Sequence, residues 1–93
     1  MDEHSITEIL TKSFQTEFLK VENDSAKHQR HKQSQGKGGH FKLVIVSNDF
    51  LGMDLISRHR KIYQALGMHD QTLIHALSIS SWTVDEWQQK KSV

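Results

Sequence analysis

The sequence predicts one small α/β domain whose three-stranded sheet is covered by helices on one face. Strand-like alternation or β-branched enrichment occurs at about residues 18–23, 40–47 and 73–81. Helical apolar spacing or capping patterns occur before the first strand, between the second and third, and after the third. The order α-β-β-α-β-α suits a single sheet with helices packed against it. A chain of 93 residues has room for one such domain and not two. We expect the structured part of this domain to span about residues 5–90.

The composition excludes several classes of protein. The chain has no cysteine, so it forms no disulfide, and any thiolate ligand of a metal must come from a partner. No apolar run approaches the roughly 18 residues of a membrane span, and MDEHSITE lacks the basic start of a targeting segment. We therefore expect a soluble cytoplasmic protein with no membrane partner. A net charge of +1 indicates no particular partner, and the absence of a nucleophile placed with a base predicts a non-enzymatic protein.

The first helix and strand follow from local patterns. Ser5 and Glu8 form a capping-box pattern, after which apolar residues recur at helical spacing, so a helix is predicted at about residues 5–16. From Phe18 to Asn23, apolar residues alternate with charged ones, which is typical of a strand with one solvated face.

A basic, histidine-rich segment separates the first two strands. DSAKHQRHKQSQGKGG has no apolar periodicity and is longer than a hairpin turn, so we expect a flexible loop at about residues 25–39. No acidic residue occurs between Ala26 and Phe41, whereas three lysines, one arginine and the imidazoles of His28 and His31 do. The segment therefore combines positive charge with side chains that are able to bind metal.

The central part of the chain predicts a buried strand followed by an amphipathic helix. HFKLVIVS is apolar and β-branched, as in a central strand. Asp54 is placed to cap a helix that Gly67 ends at its C′ position. Helical spacing groups six side chains on one apolar stripe: Leu55, Ile56, His59, Ile62, Tyr63 and Leu66. The charged and polar residues between them are expected to be more exposed: Arg58, Arg60, Lys61 and Gln64.

The third strand contains a histidine in an aliphatic row. In LIHALSIS, alternation places Leu73, His75, Leu77 and Ile79 on one face. The imidazole is either a hydrogen-bonded core residue or a functional group held by a rigid strand, and spacing alone favours the core residue.

The last helix is predicted at about residues 84–90. Thr83 and Glu86 form a second capping-box pattern. Trp82 and Trp87 occupy the N′ and N4 positions, which form a hydrophobic staple when both are apolar.

Taken together, these segments resemble the BolA-like family, whose pattern is a strand ending in V-x-S, then F-x-G, an R-H-R helix, an H-A-L strand and a T-x-x-x-W helix. A histidine often precedes the H-F pair of the family by nine residues, as His31 precedes His40. The resemblance covers about residues 6–88 and implies a class II KH-like α/β fold. The other matches are Val46, Ser47, Phe50, Gly52, Arg58-His59-Arg60, His75-Ala76-Leu77, Thr83 and Trp87.

The resemblance implies a binding partner and a metal cluster. BolA-like proteins pair with monothiol glutaredoxins, and the pair shares a [2Fe–2S] cluster with glutathione, so this chain would supply two ligands that are not sulfur. By position these are His75 on the third strand and His31 in the loop, with His28 as a substitute for His31. No cluster is expected in the isolated chain, which we expect to be a monomer or a weak homodimer. His40 and His59 are expected to be structural.

Nucleic-acid binding is the alternative function. A KH-like fold and a basic second helix would place Arg58, Arg60 and Lys61 against phosphates, as in a transcriptional regulator that binds DNA. KH domains hold the nucleic-acid backbone with a G-x-x-G loop between helices, whereas residues 36–39 here enter a strand. The sequence therefore favours the glutaredoxin adaptor.

Overall fold

The computed structural model describes residues 2–23, 40–68 and 77–92. Its elements follow the predicted order α-β-β-α-β-α, and the predicted fold class is confirmed. No helix in the described ranges is long and apolar enough to cross a membrane. The elements are α1 (Glu3–Ser13), β1 (Phe18–Asn23), β2 (Phe41–Val46), α2 (Leu55–Ala65), β3 (Leu77–Trp82) and α3 (Val84–Ser92), with one 3₁₀ turn at Asn48–Phe50.

The three strands form one sheet in the order β1-β2-β3. β1 and β2 are antiparallel, whereas β2 and β3 are parallel. The parallel pair requires a crossover, which α2 supplies. In the register of the sheet, Leu19 lies opposite Ile45, which lies opposite Ser81. β2 is thus the central strand, as its apolar sequence predicts.

The core lies between one face of the sheet and the first two helices. Residues at alternate positions of β2 are at most 6% exposed, while Lys42 between them is exposed. α1 contributes Ile6 and Leu10, and α2 contributes Ile62, all at 0% exposure. The other members of this core include Phe14, Phe41, Leu43, Ile45, Phe50, Leu66, Met68 and Leu77.

α3 contacts the sheet through aromatic residues at one end. Phe18, Val46 and Trp82 are direct neighbours across the three strands and alternate with the residues of the core face. The ring of Trp87 stacks on Phe18 with 5.4 Å between centroids, and it lies 5.8 Å from Trp82. α1 and α2 therefore cover the core face of the sheet, whereas α3 packs against the strand side chains that alternate with those of the core face.

The predicted start and end of the first helix are wrong. α1 begins at Glu3, because the carboxylate of Asp2 accepts a hydrogen bond of 2.8 Å from the Ser5 amide and so caps the helix one turn earlier. The helix ends at Ser13, since Phe14 turns to extended backbone and packs its ring 5.3 Å from that of Phe50. Core packing of Phe14 thus ends the helix before residue 16.

The caps predicted for the other two helices are confirmed. Asp54 accepts a hydrogen bond of 2.8 Å from the Ser57 amide at the start of α2. Gly67, which follows the C-cap residue Leu66 of α2, has φ +70°, a left-handed conformation that favours glycine. Thr83 and Glu86 exchange both hydrogen bonds of the capping box at the start of α3, at 2.9 and 3.3 Å.

Two residues that were predicted to lie on the buried stripe of α2 are exposed instead. Leu55 is 59% exposed and Ile56 is 64% exposed. At about 100° per residue, Ile56 lies about 120° from Ile62 and so points away from the core. Leu55 is aligned with Ile62 but belongs to the first turn, where the helix borders an open groove.

Candidate functional site

The three histidines predicted to bind the cluster, His75, His31 and His28, lie outside the described residues, as does the basic loop at 25–39. β3 begins at Leu77, two residues after His75. Leu77 is buried and Ile79 packs against the core, so these two members of the predicted aliphatic row do share the core face. Within residues 2–23, 40–68 and 77–92, no group of three or more histidine and acidic side chains could hold a metal ion.

The described histidines differ in their surroundings. His59 is half-buried on α2, and burial, followed by the nearby charge of Arg58, lowers its pKa below 6.5. This shift favours the neutral imidazole. His40 is exposed just before β2. His4 lies on the exposed side of α1, with its Nε2 atom 3.8 Å from a Glu8 carboxylate oxygen.

The exposed position predicted for Arg58 is wrong, because its guanidinium is buried and donates four hydrogen bonds. Arg58 is 6% exposed. Its Nη1 and Nη2 atoms donate to the two carboxylate oxygens of Glu86 at 2.8 and 3.1 Å. Its Nε donates to the Met53 carbonyl at 3.0 Å, and Nη1 donates to the Ser81 carbonyl at 3.2 Å. Arg58 therefore joins the start of α2, the end of β3 and the start of α3.

Glu86 completes this junction. Its Oε1 atom also accepts a hydrogen bond of 2.9 Å from the Thr83 amide. The hydrogen bonds from Arg58, followed by that from Thr83, lower the pKa of Glu86 from 4.5 to about 2. The carboxylate thus stays ionised at neutral pH and balances the charge of Arg58. A guanidinium that is buried and paired in this way is not available to a phosphate.

The basic surface expected on the second helix is therefore smaller than predicted. Of the three predicted phosphate contacts, Arg60 and Lys61 are exposed and Arg58 is not. Helical geometry explains why Arg58 is buried. At 3.6 residues per turn, Arg58 lies about 40° around the helix axis from Ile62, which is fully buried. The charge of Arg58 indicated exposure, whereas its position on the helix indicated burial.

An open groove of about 490 Å³ lies between the first turn of α2 and β3. Met53 and Leu55 on the helix side and Ile79 on the strand side provide apolar surface. Polar groups include Ser81, which is 6% exposed and whose hydroxyl has no hydrogen-bond partner among the described residues. The sequence did not reveal this groove, because it depends on how α2 packs beside the edge of the sheet.

Comparison with known proteins identifies the family. A family model described as BolA-like protein matches residues 10–86. The DNA-binding transcriptional regulator BolA of Vibrio cholerae is 42% identical over 80 residues, which are 86% of this chain and 73% of that protein. The protein of the same description from Escherichia coli is 40% identical over 83 residues, which are 89% of this chain and 76% of that protein. The solved BolA domain of SufE1 from Arabidopsis thaliana has a TM-score of 0.71 at 38% identity, covering 90% of this chain and 93% of that one. The chain belongs to the BolA-like family.

Proposed function

We propose that this protein is an adaptor that binds a monothiol glutaredoxin and shares a [2Fe–2S] cluster with it, in iron–sulfur cluster assembly, transfer or iron regulation. Its family consists of regulators and adaptors, and the chain is not an enzyme. The proposal places His75 and His31 as the ligands from this chain, with His28 as a substitute for His31. We also propose a cytoplasmic location.

The observation that carries this proposal is the position of His75 in the chain relative to β3. The strand starts two residues later, and its pairing with β2 holds Leu77 opposite Phe41. Strand alternation would continue the row of Leu77 and Ile79 to His75. A ligand next to a paired, core-packed strand is held in place more firmly than one in a long loop.

The donor set of the chain fits such a cluster. The chain has no cysteine but has seven histidines, and two imidazoles can replace two thiolates of a [2Fe–2S] centre. The remaining thiolates would come from the glutaredoxin and glutathione. When bound, the cluster would supply an iron centre with mixed nitrogen and sulfur ligation, which has a higher reduction potential than a centre ligated by cysteine alone.

Anaerobic reconstitution tests the ligand assignment. The full chain, a monothiol glutaredoxin, glutathione, iron and sulfide are combined, and visible circular dichroism reports the ligands of the cluster. We expect His75→Ala to lose the spectrum of the mixed complex, and His4→Ala, which removes an exposed imidazole on α1, to retain it. An unchanged spectrum for His75→Ala would rule out His75 as a ligand.

DNA binding is the second candidate, and the names of the relatives favour it. The Vibrio cholerae and Escherichia coli proteins are both described as DNA-binding transcriptional regulators. On this chain the exposed basic residues of α2 are Arg60 and Lys61. If they contact phosphates, the protein alone should shift duplex DNA, with an affinity that falls steeply with salt. Replacing both by alanine should weaken that shift and reduce its salt dependence, and the absence of a shift at physiological salt would exclude this function for the isolated chain.

A further inference from the structure

The outer edge of β3 borders the groove beside α2. β3 is the last strand in the order β1-β2-β3 and therefore has one edge without a strand among the described residues. The Trp82 carbonyl accepts from the Ser47 amide at 2.9 Å and so faces β2. Because successive peptide groups of a strand alternate in direction, the backbone groups of Ile79 and Ser81 face outward. The hydrogen bond from Arg58 to the Ser81 carbonyl confirms this direction.

The backbone edge is accompanied by apolar surface on the helix side. Leu55 is 59% exposed although it is aligned with the buried side of α2, and Met53 lies next to it in the groove. On the strand side, Ile79 lines the groove, and the buried hydroxyl of Ser81 has no hydrogen-bond partner among the described residues. A segment that lies here would meet hydrogen-bonding groups on one side and apolar side chains on the other, as in β-strand addition.

The charges around the groove decide between partners. Arg58, the guanidinium among the described residues that line the groove, is neutralised by Glu86 at 2.8 Å. The carboxylate of Asp54 adds a negative charge, since hydrogen bonds from Ser57 lower its pKa. Burial lowers the pKa of His59 and so favours its neutral form. The groove therefore has a net negative charge, which disfavours a phosphate backbone and favours a neutral or basic segment.

We infer that the groove between α2 and β3 binds an extended peptide segment with alternating apolar and basic residues, which adds as a strand to the outer edge of β3. Its backbone pairs with Ile79, and one apolar side chain lies between Leu55 and Met53. The hydrogen bond from Arg58 already occupies the Ser81 carbonyl, so pairing is confined to the part of the strand before it. The inference does not depend on the cluster or on DNA.

Titration of the isotope-labelled full chain by NMR tests the inference. The probe is a blocked synthetic hexapeptide of alternating lysine and valine. Three comparison probes are its analogue with glutamate for lysine, its analogue with N-methyl groups on one backbone edge, and a single-stranded oligothymidine. We expect the lysine peptide to shift the amide of Ile79 and the methyl groups of Leu55, with at least about tenfold weaker binding of each comparison probe.

Two matched variants separate the groove from the general apolar surface. Leu55→Asn removes an exposed apolar side chain that lines the groove, and Ile56→Asn removes one of similar exposure that does not. We expect Leu55→Asn to weaken binding of the lysine peptide about tenfold and Ile56→Asn to leave it unchanged. The inference is overturned if the peptide shifts neither Ile79 nor Leu55, if both variants weaken binding equally, or if oligothymidine binds the groove more tightly than the peptide.

Discussion

Glu86→Gln tests whether the buried ion pair with Arg58 holds the three elements around it together. The substitution keeps the size of the side chain and removes its charge. Arg58, at 6% exposure, would then keep a positive charge without a counter-ion and would retain its bonds to the carbonyls of Met53 and Ser81. Removing one partner of a buried ion pair lowers the stability of the fold by more than the intact pair contributes to it, because the remaining charge stays desolvated and unpaired.

The structure sets the size of the effect. A pKa lowered from 4.5 to about 2 corresponds to at most about 3.4 kcal/mol in favour of the ionised carboxylate in the folded state. Solvent screens part of this, since the side chain of Glu86 is 45% exposed. We therefore expect the free energy of unfolding at pH 7 to fall by about 2 kcal/mol, and the melting temperature to fall by roughly 8–16 °C for a domain of this size.

The pH dependence gives the sign of the effect. Because the pKa of Glu86 is lowered in the folded state, its stabilisation is fully present above about pH 4.5 and is lost as the pH falls toward 2. Urea unfolding of the parent and of Glu86→Gln should therefore differ at pH 7 and converge in acid. Asp85→Asn is the control, since Asp85 is exposed in the same helical turn. A loss below about 0.5 kcal/mol for Glu86→Gln, or an equal loss for Asp85→Asn, would show that the ion pair does not hold these elements together.

Three further predictions concern the core, a turn and the cluster. Leu10→Ala should lower the free energy of unfolding, measured by urea titration, by about 3 kcal/mol, because Leu10 is fully buried. Thr11 is exposed, so Thr11→Ala should change the same quantity by less than about 0.5 kcal/mol. Gly67→Ala should lower the free energy of unfolding by about 1 kcal/mol. The cause is the φ of +70° alone, since a Cβ there meets no atom within 4 Å. Gly67→Asn should lower it by less, and equal losses for the two variants would contradict this prediction. A cluster ligated by His75 should become labile below about pH 6.5, because free imidazole is protonated there and no longer binds metal. Visible circular dichroism measures the lifetime of the cluster. Equal lifetimes at about pH 5.5 and 8 would contradict histidine ligation.

Sequence patterns were most successful where a local interaction decides the structure. The capping box of Thr83 and Glu86 was predicted from the pair, and the cap at Asp54 was predicted from that residue alone; in both, the hydrogen bonds join residues three positions apart. The first helix shows the limit of this approach. Asp2 and Ser5 are both good caps, and the observed cap is Asp2. The end of α1 depends on where Phe14 packs, which requires knowing the position of Phe50.

The candidate site was predicted only in part. Family resemblance selected His75 and His31, and His28 was named as a substitute because it lies near His31 in the sequence. All three lie outside the described residues, so their roles stay predictions. The role of Arg58 was mistaken because its partner, Glu86, lies 28 residues later and is brought near by the packing of α3. Sequence alone gave no reason to expect that the two would meet.

The order of elements, the central place of β2 and the family could be read from the sequence, because periodicity, caps and short motifs are local properties of the chain. Tertiary structure alone decided that Arg58 is buried against Glu86, that Leu55 remains exposed, and that a groove opens beside β3. These features depend on the relative positions of α2, β3 and α3. Burial, charge pairing and the shape of a surface are therefore set by distant parts of the chain that only the folded molecule brings together.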